Sequence, residues 1–181
     1  MLLRSDSKNY ILYCNPNAEC YEYLKMTSEW IEFYKGKVNL ILWNFRGYGD
    51  SQGTPDPKTI LEDSESIIKH FYSKDIKIGV HGQSMGGIVA AHLAKKGIVD
   101  FILCDRTFKS LDKMVYYLYG PYCEFLFKLF TFWKWNVSLP EKFVYANCYK
   151  VIACDAKDDL VIEAASLKVG VSHLIIKSET E

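Results

Sequence analysis

The stretch from Val80 to Gly87, "VHGQSMGG", decides the fold. It sets Ser84 between two glycines, with a third glycine directly after them. Before it runs "IKIGVHG" (Ile76 to Gly82), which reads as a buried strand; after it "GGIVAAHLAKKG" reads as a helix that Gly97 can end. A G-x-S-x-G pattern between a strand and a helix is a sharp turn that presents a nucleophile. The serine there takes φ above zero, and side chains two residues to either side would collide with backbone, which Gly82 and Gly86 prevent. Gly87 lets the helix pack closely on the sheet, and the Met85 N–H at the helix N-terminus points to where an oxyanion would form. A phosphate-binding loop is the competing glycine motif, but no lysine-serine or lysine-threonine pair follows at its spacing.

Outward from the turn, short apolar runs alternate with segments of helical period. "YILYC" (Tyr10 to Cys14) reads as a strand, followed by a turn at "NPN" and a helix-like run to about Tyr34. "VNLILWNF" (Val38 to Phe45) is the next strand, and Pro57 stands where a helix over Ile60, Leu61, Ile67, Ile68 and Phe71 begins. "VDFILCD" (Val99 to Asp105) and "CYKVIACD" (Cys148 to Asp155) complete a set of five strands. Continuously apolar strands separated by helices predict an α/β fold, a mostly parallel sheet covered on both faces, with ligands at the carboxyl ends of the strands. One segment breaks the alternation: "MVYYLYGPYCEFLFKLFTFWKW" (Met114 to Trp135), interrupted at Gly120-Pro121. It reads as an aromatic-rich helical cap, within 109–140, over an active site; a surface resting on lipid or on a protein partner is the other reading.

The 181 residues suit a single domain, 1–181, with a sizeable core, and 49% hydrophobic against 24% charged residues argues against disorder. Twenty-two basic residues balance 22 acidic ones, so no global field draws the chain to nucleic acid. Six cysteines are scattered without a C-x-x-C pair, which predicts free thiols in a reducing compartment rather than disulfides or a metal site. "MLLRSDSKNY" has no apolar core of signal-peptide length. Together these predict a cytoplasmic protein, with peripheral membrane contact through the aromatic segment as its one membrane option.

The chain resembles the α/β-hydrolase superfamily, in its serine-aminopeptidase-like and acyl-protein-thioesterase-like branch. The resemblance is carried by "YCNPNAE" (Tyr13 to Glu19), "NFRGYGDSQGTP" (Asn44 to Pro55), "HGQSMGG" (His81 to Gly87), "CDRTFKSL" (Cys104 to Leu111) and "DAKDDLV" (Asp155 to Val161), in the family's order. It implies Ser84 as nucleophile, Asn17 and Met85 as N–H donors of an oxyanion hole, and Asp158 as the triad acid, with Asp155 and Asp159 as alternatives. Asn15-Pro16 stands where the family usually has histidine-glycine. The family's order of serine, acid, histidine leaves His173 as the one histidine after Asp158, at the start of a run, "VSHLIIK", that reads as a strand. His70, His81 and His92 precede the acid and read as packing or surface residues. Against the family the chain lacks the two leading strands and the histidine-bearing C-terminal region, which predicts either a fragment or shortened gene product, or a pseudoenzyme. The resemblance implies hydrolysis of an ester, thioester or amide in a small or acylated substrate, with no metal or organic cofactor; a non-catalytic binding or assembly module is the alternative.

Overall fold

In a computed structural model, which describes residues 1–180, six strands form one sheet. They are β1 (Leu2–Leu3), β2 (Asn9–Cys14), β3 (Asn39–Leu42), β4 (Lys77–Gln83), β5 (Phe101–Asp105) and β6 (Tyr149–Ala153), in the spatial order β1-β3-β2-β4-β5-β6. All pairings are parallel except that of β1 with β3. The five strands expected from the apolar runs are all present. The two-residue β1 carries no such signal; it is held by its register on β3, with the Met1 carbonyl accepting the Leu42 N–H at 2.8 Å.

Alternation along each strand divides the core between the two faces of the sheet. Leu12 and Cys14 of β2 point to one face, with Val80, Ile102 and Cys104 of the neighbouring strands. That face is covered by α3 (Pro57–Phe71), α4 (Gly86–Lys95), α7 (Pro140–Val144) and α8 (Leu167–Thr180), which bring Ile60, Ile68, Val89, Leu93, Phe143 and Leu167 onto it. Ile11 and Tyr13 point the other way, onto Leu24 of α1 (Tyr21–Thr27) and Ile31 and Tyr34 of α2 (Glu29–Tyr34). The single helical run expected to Tyr34 is thus two helices. Ser28 divides them: its backbone is extended and its hydroxyl accepts the Ile31 N–H at 3.4 Å, capping α2. At α3 the expected start holds, with Pro57 in the first turn and Asp56 accepting the Lys58 N–H at 3.0 Å.

The aromatic segment folds as a helical hairpin, α5 (Leu111–Tyr119) and α6 (Pro121–Phe130), broken at Gly120 with φ +87°. One expectation fails. "VSHLIIK" is the second half of α8 and not a strand. Its apolar residues do include a helical stripe: Leu167 and Gly170 are buried, and Val171 and Leu174 half-buried, on the side toward the core. Ile175 and Ile176 fall off that stripe and are exposed, and their β-branched character suggested the strand.

Candidate active site

At the carboxyl end of β4 the chain turns through Ser84, whose φ is +49°. A non-glycine residue in this left-handed region is costly, and it is held here by its surroundings. The Ser84 N–H donates to the Asp105 carbonyl at 2.9 Å, and the Ser84 carbonyl accepts from Gly87 N–H at 3.0 Å and from the Thr107 hydroxyl at 3.3 Å. The glycines are required sterically. A Cβ on Gly82 would strike the Gly86 carbonyl, one on Gly86 the Cys14 carbonyl, and one on Gly87 the Thr107 side chain. Thr107, to which the sequence assigned no role, thus braces the turn from the loop after β5.

Ser84 and Met85 line a cavity of about 340 Å3 together with Asn17, Tyr48, Pro55, Phe108 and residues of the α5–α6 hairpin. That volume lies within the range of small-molecule sites, and its wall is mainly apolar with a few polar groups. The hairpin contributes Leu111, Met114 and Phe127, and Thr131 and Trp135 follow from the segment after it. Asn17 is exposed, and its side-chain carbonyl accepts the Tyr48 hydroxyl at 2.7 Å. Before it, Asn15 is buried and donates to the Trp43 carbonyl at 3.0 Å and to Asn44 Oδ1 at 3.1 Å, tying this loop to the end of β3. Burial pushes the Tyr48 hydroxyl up from its ordinary pKa.

Asp158 sits in the loop after β6, where its carboxylate accepts the N–H groups of Leu160 (2.9 Å) and Val161 (2.8 Å). It lines a second cavity, of about 150 Å3, shared with Asp155, Arg106 and Thr107. Ser84, Met85 and Asn17 therefore meet in one cavity and Asp158 in the next, with Thr107 common to the second cavity and the serine turn. No histidine lines either one. His173 is exposed on α8 and His70 exposed on α3. His92 of α4 is 2.6 Å from Glu65. His81 is fully buried on the α1–α2 face, with its Nδ1 at 3.2 Å from the Tyr34 hydroxyl.

A wider groove of about 760 Å3 lies at the opposite, amino ends of β4 and β5, lined by Glu65, Lys69, Tyr72 and Asp100 among others. Its carboxylates are paired with neighbours: Glu65 with His92 and Lys96, and Asp100 with Lys77. All six cysteines are free; Cys14 and Cys104 are buried in the core, and burial pushes the Cys14 thiol up to about 12. Among the described residues no group of three or more acidic, histidine or cysteine side chains is placed to hold a metal.

No family model matches the chain. Over 133 residues, 70% of this chain, it is 30% identical to an uncharacterized membrane protein of Saccharomyces cerevisiae, and the match spans 44% of that protein. It is 34% identical over 90 residues, 46% of this chain, to an alpha/beta hydrolase domain-containing protein of Arabidopsis thaliana, of which the match spans 29%. The chain thus spans less than half the length of these curated relatives. Among solved structures, an esterase of Pyrococcus furiosus superposes with a TM-score of 0.69 at 19% identity, covering 93% of this chain and 69% of the esterase. A lipase-esterase related protein from Clostridium acetobutylicum gives a TM-score of 0.66 at 17% identity, covering 95% and 86% of the two chains.

Proposed function

We propose that this chain, which has the α/β-hydrolase fold, is a serine hydrolase that cleaves an ester, thioester or amide through an acyl-enzyme on Ser84. The observation that carries the reading is a serine held at φ +49° in the wall of a cavity of substrate size. In that reaction the Ser84 Oγ attacks the carbonyl carbon, and its proton passes to a base. The carbonyl oxygen gains the negative charge and takes hydrogen bonds from the backbone N–H groups of Met85 and Asn17. The tetrahedral adduct collapses with departure of the protonated leaving group, and water then releases the acid from Ser84. Asp158 would orient the base.

The chain's own histidines do not supply that base: two are exposed on helices, one is bonded to Glu65, and one is sealed on the far face of the sheet. The hydrolase reading therefore requires an imidazole brought to the Ser84 cavity from beyond these residues. The same observation favours a second reading, a non-catalytic module that keeps the turn and the cavity for binding. A fluorophosphonate probe separates the two, because it phosphonylates only an activated serine, forming an O–P bond with loss of fluoride. Labelling of the full-length protein that disappears in Ser84→Ala is the expected result. Correctly folded protein that takes no label would overturn the catalytic reading.

A further inference from the structure

We propose that the outer face of the α5–α6 hairpin docks on the surface of a lipid bilayer. The observation is that α6 is amphipathic the wrong way round for water. Its charged residues, Glu124 and Lys128, face α5 and are mostly buried, with side-chain exposures of 12% and 22%. There Lys128 lies 2.7 Å from Glu124 and 3.0 Å from Asp112, and Lys113 lies 2.9 Å from Glu124. Asp112 is itself only 5% exposed, and one of its oxygens has no partner. The rings point the other way: Tyr119, Tyr122, Phe125, Phe130, Phe132 and Trp133 are 52 to 78% exposed. A helix folded for water turns its charges out and its apolar stripe in. Charges paired inside a helical hairpin, with apolar side chains outside, are the arrangement of a protein surface that meets hydrocarbon.

Two further features favour a bilayer over a protein partner. The outward set mixes tyrosine and tryptophan with phenylalanine, and such amphipathic rings settle at the headgroup level. At the rim of the hairpin the Lys109 ammonium lies over the Tyr117 ring at 4.8 Å and donates to the neutral Ala164 carbonyl at 2.9 Å, so its positive charge is left to meet lipid phosphate. Among the described residues no helix is long and apolar enough to cross a membrane, so the hairpin lies in the interface and does not span it. The inner sides of the same two helices wall the Ser84 cavity through Leu111, Met114 and Phe127. Docking therefore brings a wall of that cavity to the lipid; on the hydrolase reading, which this consequence alone rests upon, acyl esters of the surface are the substrates nearest to Ser84.

The test is co-sedimentation with vesicles of phosphatidylcholine containing phosphatidylglycerol, for the wild type, Ser84→Ala and the double variant Phe130→Asp/Phe132→Asp. Both phenylalanines are exposed, and aspartate tolerates the left-handed backbone of Phe132 better than phenylalanine does, so the fold is kept and a thermal melt verifies it. Wild type and Ser84→Ala are expected to sediment alike, and the double variant to partition at least roughly tenfold less. Wild-type protein that stays in the supernatant overturns the proposal, as does a double variant that sediments undiminished. Self-association of the wild type without lipid, abolished in the double variant, would make the face a protein interface and overturn it too. Fluorophosphonate labelling reads the chemistry separately, so the docking and the hydrolase reading can fail independently.

Discussion

Ser84 is one of three non-glycine residues with left-handed backbone that lie just beyond the carboxyl ends of strands: Ala18 after β2, Ser84 after β4 and Arg106 after β5, at φ 60°, 49° and 45°. Strain gathered at one edge of a sheet is what a functional edge stores, and at Ser84 its size can be read. An L-residue in this conformation costs about 1–2 kcal/mol, and glycine avoids that while adding roughly 0.5–1 kcal/mol of unfolded-state entropy. Ser84→Gly is therefore expected to stabilise the protein by about 0.5–1 kcal/mol, seen as a higher urea midpoint at unchanged slope. Ser84→Ala keeps the strain and should leave the midpoint near that of the wild type. A glycine variant no more stable than the alanine variant would mean that the turn is relaxed. Of the three positions only Ser84 is legible in the sequence, because its glycines mark it. Ala18 and Arg106 are set by tertiary contacts, such as the Arg106 N–H on the Ala153 carbonyl at 2.8 Å, that no local pattern announces.

Among the elements, α8 shows why local propensity is a weak guide here. Replacing an interior helical glycine with alanine ordinarily gains about 1 kcal/mol. At Gly170 a Cβ would sit 2.7 Å from both Lys109 Cβ and Pro140 Cγ, atoms close to backbone that cannot swing aside. Such overpacking typically costs roughly 1–3 kcal/mol, so the clash outweighs the propensity. Gly170→Ala is expected to lower the melting temperature by a few degrees, about 2–4 °C per kcal/mol for a chain of this size. A raised melting temperature would show α8 free to move off its neighbours. The same packing explains what the sequence conceals. The strands β2 to β6 and the starts of α3 and α4 are readable because period and punctuation agree. "VSHLIIK" is misread because Ile175 and Ile176 face solvent, and the stripe that matters runs through Leu167, Gly170, Val171 and Leu174. Ser84, Met85 and Asn17 line one cavity, which no local pattern states. The brace from Thr107 and the inverted polarity of α6 are invisible without the fold, since both depend on which side of an element faces which neighbour.

Across the whole molecule the sheet separates two environments: a cavity beside Ser84 on one side and, on the other, a sealed polar cluster around His81. The imidazole is enclosed by the rings of Tyr13, Trp30 and Tyr34, with centroids 4.9, 4.8 and 5.8 Å away. Asp105, which holds the Ser84 N–H through its backbone, turns its carboxylate into this cluster. It accepts from Trp30 Nε1 at 2.9 Å and pairs with Arg106 at 2.9 Å, while His81 Nε2 lies 3.9 Å away. Burial holds the His81 pKa below its ordinary 6.5, with Asp105 offsetting it only in part. Burial also lowers His92, partly offset by Glu65. Between the unfolded and folded values the unfolded chain takes up protons that the folded chain refuses, so stability present above pH 6.5 is lost as the pH falls below it. At the alkaline end burial pushes Tyr13 and Tyr34 up from 10.0 to about 12, so stability present below pH 10 is lost as the pH rises toward 12. The expected urea stability falls as the pH drops below about 6.5 and as it rises above about 9, where the buried Cys14 and Cys104 thiols, also pushed up from 9.0, add to the loss from the tyrosines. His81→Phe should flatten the acid limb in part, and adding His92→Gln should flatten it further. An acid limb between pH 6.5 and 5 as steep in the double variant as in the wild type would show that neither histidine is held neutral by the fold.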